Sequence, residues 1–112
     1  MERAILIIID TQGQSRTFDL DAMDQNYFTL GRDPKQNDIV IPDAIVSKTH
    51  GYLLRRYDTF FYKDLESSNG TYAEFAGKRT LLHKSDQFVE MTEGAVLRIG
   101  SIQNPDKMVL IS

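Results

Sequence analysis

Tyr52-Leu53-Leu54-Arg55-Arg56-Tyr57-Asp58-Thr59-Phe60-Phe61-Tyr62 sets two short apolar bursts on either side of a polar break. Each burst is too short for a typical helix, and both are built largely from residues that favour a pleated, half-buried surface. Phe60 and Tyr62 alternate with Phe61, as on a strand with both faces partly covered.

The pattern continues in both directions. Upstream lie residues 4–9, the turn-like Thr11-Gln12-Gly13-Gln14-Ser15, and then 17–20, 27–30 and 39–41. Downstream lie 71–72, 80–82, 88–89, 95–99 and 108–111. Bursts this short, rich in Ile, Val, Tyr, Phe and Thr and parted by turn residues, define an all-β sandwich or barrel. No stretch keeps a helical apolar period over ~11 residues; the best rival is 85–93, where Ser85 can cap a turn or two. Asn37-Asp38, Asn69-Gly70 and Glu93-Gly94 read as turns.

The bulk properties agree. The 112 residues fit one domain, expected to span 1–112, and that domain can still be part of a longer protein. The 41% hydrophobic and 26% charged composition is that of a folded globular chain. A net charge of −3 and a pI near 5.3 argue against a nucleic-acid or anionic-membrane binder. Locally the balance reverses: between Asp43 and Lys63, the bases Lys48, Arg55, Arg56 and Lys63 outnumber the acids Asp43 and Asp58, so a small anion can be accepted. The absence of cysteine excludes disulfides, thiolate chemistry and cysteine-ligated metals. The apolar run 4–9 is too short for a signal-peptide core or a membrane helix and reads as a buried strand. Without a secretion signal, the sequon Asn69-Gly70-Thr71 is read as coincidence.

Polar residues and glycine gather in three loops: Gly31-Arg32 through Asp38, residues 42–50, and residues 66–70. Loops at one end of a sandwich converge and can form a site on a rigid scaffold. Four segments stand out in order: Phe28-Thr29-Leu30-Gly31-Arg32, Asn37-Asp38-Ile39-Val40-Ile41, Val46-Ser47-Lys48-Thr49-His50-Gly51 and Asp64-Leu65-Glu66-Ser67-Ser68-Asn69-Gly70-Thr71-Tyr72. With Gly94-Ala95-Val96-Leu97-Arg98-Ile99-Gly100 as a late strand, they resemble the forkhead-associated (FHA) domain family over nearly the whole chain.

The resemblance implies an FHA-like β-sandwich of about eleven strands with its ligand loops at one end. It also implies a module that binds phosphothreonine in peptides. A phosphothreonine brings about −1.5 to −2 charges and three acceptor oxygens. By resemblance, Arg32 clamps the phosphate with a planar fork of donors that lysine cannot match. Ser47 donates its hydroxyl, Lys48 adds a point charge or a backbone N–H, and Ser68 presents a hydroxyl and an N–H. Asn69, whose amide both donates and accepts, pairs with the peptide backbone. Gly31, His50 and Gly70 support the site: Gly31 permits close approach of loops, His50 bonds beneath the loop carrying Ser47, and Asn69-Gly70 also makes a tight turn. Ile45 falls where the family tends to contact the third residue after the phosphothreonine.

Rival readings fit the residues less well. An esterase-like Ser47–His50–Asp64 set lacks a nucleophile elbow or oxyanion loop. Only His50 and His83 offer imidazoles, so no metal site is expected. The phosphate-loop pattern is missing. A single-strand nucleic-acid groove on Tyr52, Tyr57, Phe60 and Tyr62 is less simple than a two-faced strand. The chain is therefore expected to be a non-enzymatic module without cofactor, metal, nucleic acid or membrane. Its expected partner is a threonine-phosphorylated protein in a Ser/Thr kinase pathway, in the cytoplasm or, in a eukaryote, the nucleus. The competing reading is a phosphate-independent interaction or dimerisation module of the same fold.

Overall fold

The computed structural model describes residues 4–82, 88–92 and 94–111. These residues form eleven strands and one 3-10 turn, Asp21–Met23. In chain order the strands are β1 (Ile5–Ile9), β2 (Ser15–Asp19), β3 (Tyr27–Gly31), β4 (Ile39–Val40), β5 (Gly51–Arg56), β6 (Thr59–Asp64), β7 (Thr71–Phe75), β8 (Lys78–Leu81), β9 (Val89–Met91), β10 (Val96–Ile99) and β11 (Asp106–Ile111). All eleven apolar bursts became strands. Of the 85–93 stretch, the described part holds β9; the proposed cap Ser85 and the proposed turn residue Glu93 lie outside the described residues.

One sheet has the order β2-β1-β11-β10-β7-β8 and the other β4-β3-β5-β6-β9. Every pairing is antiparallel except the parallel β3–β4 pair. Alternation sends one face of each central strand inward: Leu6 and Ile8 from β1, Leu53 from β5, Phe60 and Tyr62 from β6, Leu97 and Ile99 from β10. The two inner faces share a single core with Leu20, Phe28, Leu30 and Met108. The run 4–9, apolar throughout, is accordingly two-faced: Leu6 and Ile8 are fully buried while Ile5, Ile7 and Ile9 are half-buried.

Register brings the ends of many strands to one end of the sandwich. Leu30 of β3 pairs with Gly51, and Gly51 pairs with Asp64. In the other sheet Ile99 pairs with both Thr71 and Asp106, and Ile9 pairs with Lys107 and Ser15. A hydrogen bond of 2.8 Å from the Thr71 hydroxyl to Asp64 Oδ1 joins the two sets across the sheets. The connections β1–β2, β3–β4, β4–β5, β6–β7 and β10–β11 therefore all lie at this end.

Candidate functional site

Beneath the loops lies a buried polar network built from β6 and β7. Asp64 is 2% exposed and Thr71 fully buried, so each must be satisfied internally. Asp64 accepts bonds from Ser67 N–H (2.9 Å), Ser67 Oγ (2.6 Å) and Thr71 Oγ1 (2.8 Å). Thr71 Oγ1, having given its one proton to Asp64, accepts from Tyr62 O–H (3.2 Å). Burial pushes the Tyr62 phenol far above its ordinary range, ahead of the opposing bond to Thr71, so it stays a neutral donor. The Ser67 hydroxyl in turn accepts Gly70 N–H at 3.0 Å.

His50 connects this network to the surface. Its Nδ1 accepts the backbone N–H of Ser47 at 3.1 Å, which leaves the proton of the neutral ring on Nε2. Nε2 lies 3.0 Å from the Gly70 carbonyl and 3.1 Å from Thr71 Oγ1. The imidazole is fully buried between the two loops it joins. The Ser47–His50–Asp64 hydrolase geometry is not present: the histidine nitrogen facing Ser47 holds a backbone N–H, and the Ser47 hydroxyl points elsewhere.

The Ser47 hydroxyl oxygen accepts the N–H of Ser68 at 2.9 Å. Its own proton is thus directed away from that bond and is available for donation. Arg32 is exposed, but its base is fixed: its backbone N–H reaches the Ser47 carbonyl (3.0 Å), and Nε donates to the Val46 carbonyl (2.9 Å). No carboxylate among the described residues pairs with its guanidinium. Gly31 explains how the loops come so close, since a Cβ there would stand 2.3 Å from the Lys48 carbonyl and 2.8 Å from the Asn37 amide.

Lys48 has an exposed side chain, and its carbonyl is the anchored part, accepting from Asp33 N–H and from Asn37 Nδ2. Ser68 and Asn69 are exposed on the neighbouring loop. Asn69 is partly engaged: one N–H of Nδ2 donates to the Ile45 carbonyl at 2.9 Å, and Oδ1 and the second N–H take no part in that bond. Ile45 is half-buried against the core, and its carbonyl would be 2.7 Å from a Cβ on Gly100, a residue at φ +86°. Gly70 is buried, and its carbonyl accepts from Gly100 N–H as well as from His50.

The fold therefore places Arg32, Ser47, Lys48, Ser68 and Asn69 on two sides of one loop cluster, with Gly31, His50 and Gly70 beneath. The local excess of base does not gather there as a whole. Arg55 is bound to Asp21 at 2.5 Å and lies over Phe60, while Lys63 lies over Phe88. Nor do the four aromatic residues of the nucleic-acid reading share a face. Phe60 and Tyr62 are in the core, Tyr57 sits at a hairpin tip, and Tyr52 packs on Tyr27 and Phe88.

Sequence reasoning missed several supports. In the sequence Ser67 and Thr71 stand only as members of a motif, and Asn37 only as a turn residue within another. Asn37 in fact bonds the carbonyls of Asp33 and Lys48, stitching two loops together. Val46 and Gly100 act through backbone atoms, which leave no trace in side-chain type.

The family model described as FHA domain matches residues 28–100. No curated protein sequence matches the chain significantly. Among solved structures, the FHA domain of CT664 from Chlamydia trachomatis is similar with a TM-score of 0.76 at 22% identity, covering 99% of this chain and 98% of that one. Full-length yeast Pml1p gives 0.77 at 21% identity, covering 97% and 81%. Mycobacterium tuberculosis EmbR, solved in complex with a low affinity phosphopeptide, gives 0.69 at 23% identity, covering 98% and 24%. At these identities the likeness is one of fold.

Proposed function

This chain belongs to the FHA domain family, and on that premise we propose that it binds threonine-phosphorylated segments of partner proteins. The observation that carries the reading is Arg32: an exposed guanidinium whose Nε is tied to the carbonyl of Val46, the residue before Ser47, and which lacks a carboxylate partner among the described residues. A cation with a fixed base and unused donors is suited to a phosphate dianion. Arg32 supplies the fork, Ser47 donates its free proton, Ser68 adds a hydroxyl, and Lys48 adds charge. Asn69 Oδ1 accepts from the peptide backbone, which sets the peptide's path without reading its sequence. Ile45 borders the third residue after the phosphothreonine.

No bond is made or broken. A Ser/Thr kinase creates the ligand and a phosphatase removes it, so the module acts as a switchable tether. Each charge-assisted hydrogen bond contributes roughly 1.5–3 kcal/mol. Three or four of them, less the ordering cost, correspond to affinity on the order of micromolar. The test is calorimetry of a phosphothreonine peptide array with wild type and Arg32→Ala. Loss of binding with the fold intact is expected. Equal affinity for the two proteins removes the reading and leaves the phosphate-independent interaction module.

A further inference from the structure

A second feature of the same end is unexplained by phosphate. Between the β1–β2 turn, the β4–β5 connection and the start of β11 is a cavity of about 530 Å³ whose lining includes Asp10, Thr11, Arg16, Asp43 and Asp106. Asp106 is fully buried, and no hydrogen bond of good geometry reaches either carboxylate oxygen. Its two neighbours are better provided. Asp10 Oδ1 accepts the N–H groups of Gln12 and Gln14 at 2.9 Å, and Asp43 accepts from the Thr11 hydroxyl at 3.2 Å and from Ile45 N–H. Arg16, on the rim, donates to the Val40 carbonyl.

A buried carboxyl without a well-formed hydrogen bond is costly, and once Asp106 ionises the cavity holds three carboxylates against one guanidinium. Burial first, then the Asp43 carboxylate and its close side-chain contact, and then Asp10 push the Asp106 carboxyl up to about 7, with a long contact from the Thr11 backbone N–H opposing. A cation would reverse both penalties. Among the described residues, no three acidic or imidazole side chains are grouped tightly enough to hold a metal ion. A guanidinium, with five donors in a plane, can serve carboxylates that stand farther apart.

The cavity's place indicates where that cation comes from. The Asp43 carbonyl accepts Val46 N–H at 3.0 Å, closing a turn that keeps their Cα atoms within about 7 Å, and Ser47 is the next residue. An extended peptide advances roughly 3.3 Å per residue. We propose that this cavity receives a cationic side chain, arginine in preference to lysine, located two to four residues from the phosphothreonine of the bound partner. The proposal rests on the phosphothreonine reading and adds a charge preference to it.

The test is calorimetry with phosphothreonine peptides of one sequence carrying a single Arg, Lys or Gln at each of those positions, against wild type, Asp106→Asn and Asp43→Asn. At one position the Arg peptide should bind wild type about fivefold or more tighter than the Gln peptide, and this difference should vanish in both variants. Equal affinities in wild type overturn the cation site and leave the phosphate reading intact; no binding by any phosphopeptide overturns both. A second measurement follows the side-chain carboxyl carbons of Asp106 and Asp43 by carbon NMR during titration with argininamide, and separately with calcium chloride. Shifts with argininamide, and a lowered Asp106 pKa, support the proposal. Shifts with calcium alone, or with neither, overturn it.

Discussion

The hydroxyl oxygen of Ser47 accepts the backbone N–H of Ser68 at 2.9 Å, so two loops 21 residues apart meet at the atom proposed to face the phosphate. Ser47→Ala removes both a donor to the ligand and the acceptor that holds the second loop. A hydrogen bond to a charged group contributes about 1.5–3 kcal/mol, or roughly a tenfold or greater change in affinity. Fluorescence titration with a phosphothreonine peptide should show at least that loss, with the circular dichroism spectrum unchanged. Undiminished affinity would remove Ser47 from the site.

The ligand's own titration gives a second expectation. The second pKa of a phosphate monoester is about 6, and the dianion is the better partner for Arg32. Peptide affinity should fall as pH drops from about 7 to 5. A flat profile in calorimetry over that range is incompatible with phosphate as the principal contact.

Thr71 carries a third. Its hydroxyl donates to Asp64 and accepts from Tyr62, with His50 Nε2 3.1 Å away. Thr71→Val preserves shape and leaves buried groups unpaired, a cost of about 1–3 kcal/mol. Urea unfolding should show a lower midpoint with an unchanged slope. A midpoint equal to that of wild type would mean the network contributes nothing to stability.

Asp106 makes the sign of a pH effect testable. In the unfolded chain an aspartate ionises near 3.9, while the folded protein holds this proton until about 7. Stability is therefore withdrawn progressively as pH rises from about 4 to about 7, and the loss is complete above that. Asp106→Asn, which carries no titrating proton, should match wild type near pH 4 and exceed it at pH 8. A gain of about 1 kcal/mol corresponds to roughly 4–8 °C in melting temperature. If the variant is less stable than wild type at pH 8, Asp106 has a compensating partner.

The strand inventory was legible because period-two apolar bursts depend only on local order, and each burst from residues 4–9 to 108–111 became a strand. Some turns were harder to see. Tyr57 and Ala76 adopt positive φ at hairpin tips, although neither residue type signals it. The loop residues Arg32, Ser47, Ser68 and Asn69 could be picked out through the motifs that resemble the FHA family. Their division of labour could not. That Asn69 has already committed one N–H of Nδ2 to the Ile45 carbonyl depends on a contact 24 residues away in the chain.

The sequence by itself determined an all-β chain with three polar loops carrying groups able to meet a phosphate. Tertiary structure alone decided which of those groups keep free donors, because hydrogen-bonding capacity is shared out only when strand register brings distant loops together. The same register set Asp106 of β11 beside Asp10 and Asp43, separated widely in sequence, and so created an acidic cavity beside the loops that carry Arg32 and Ser47.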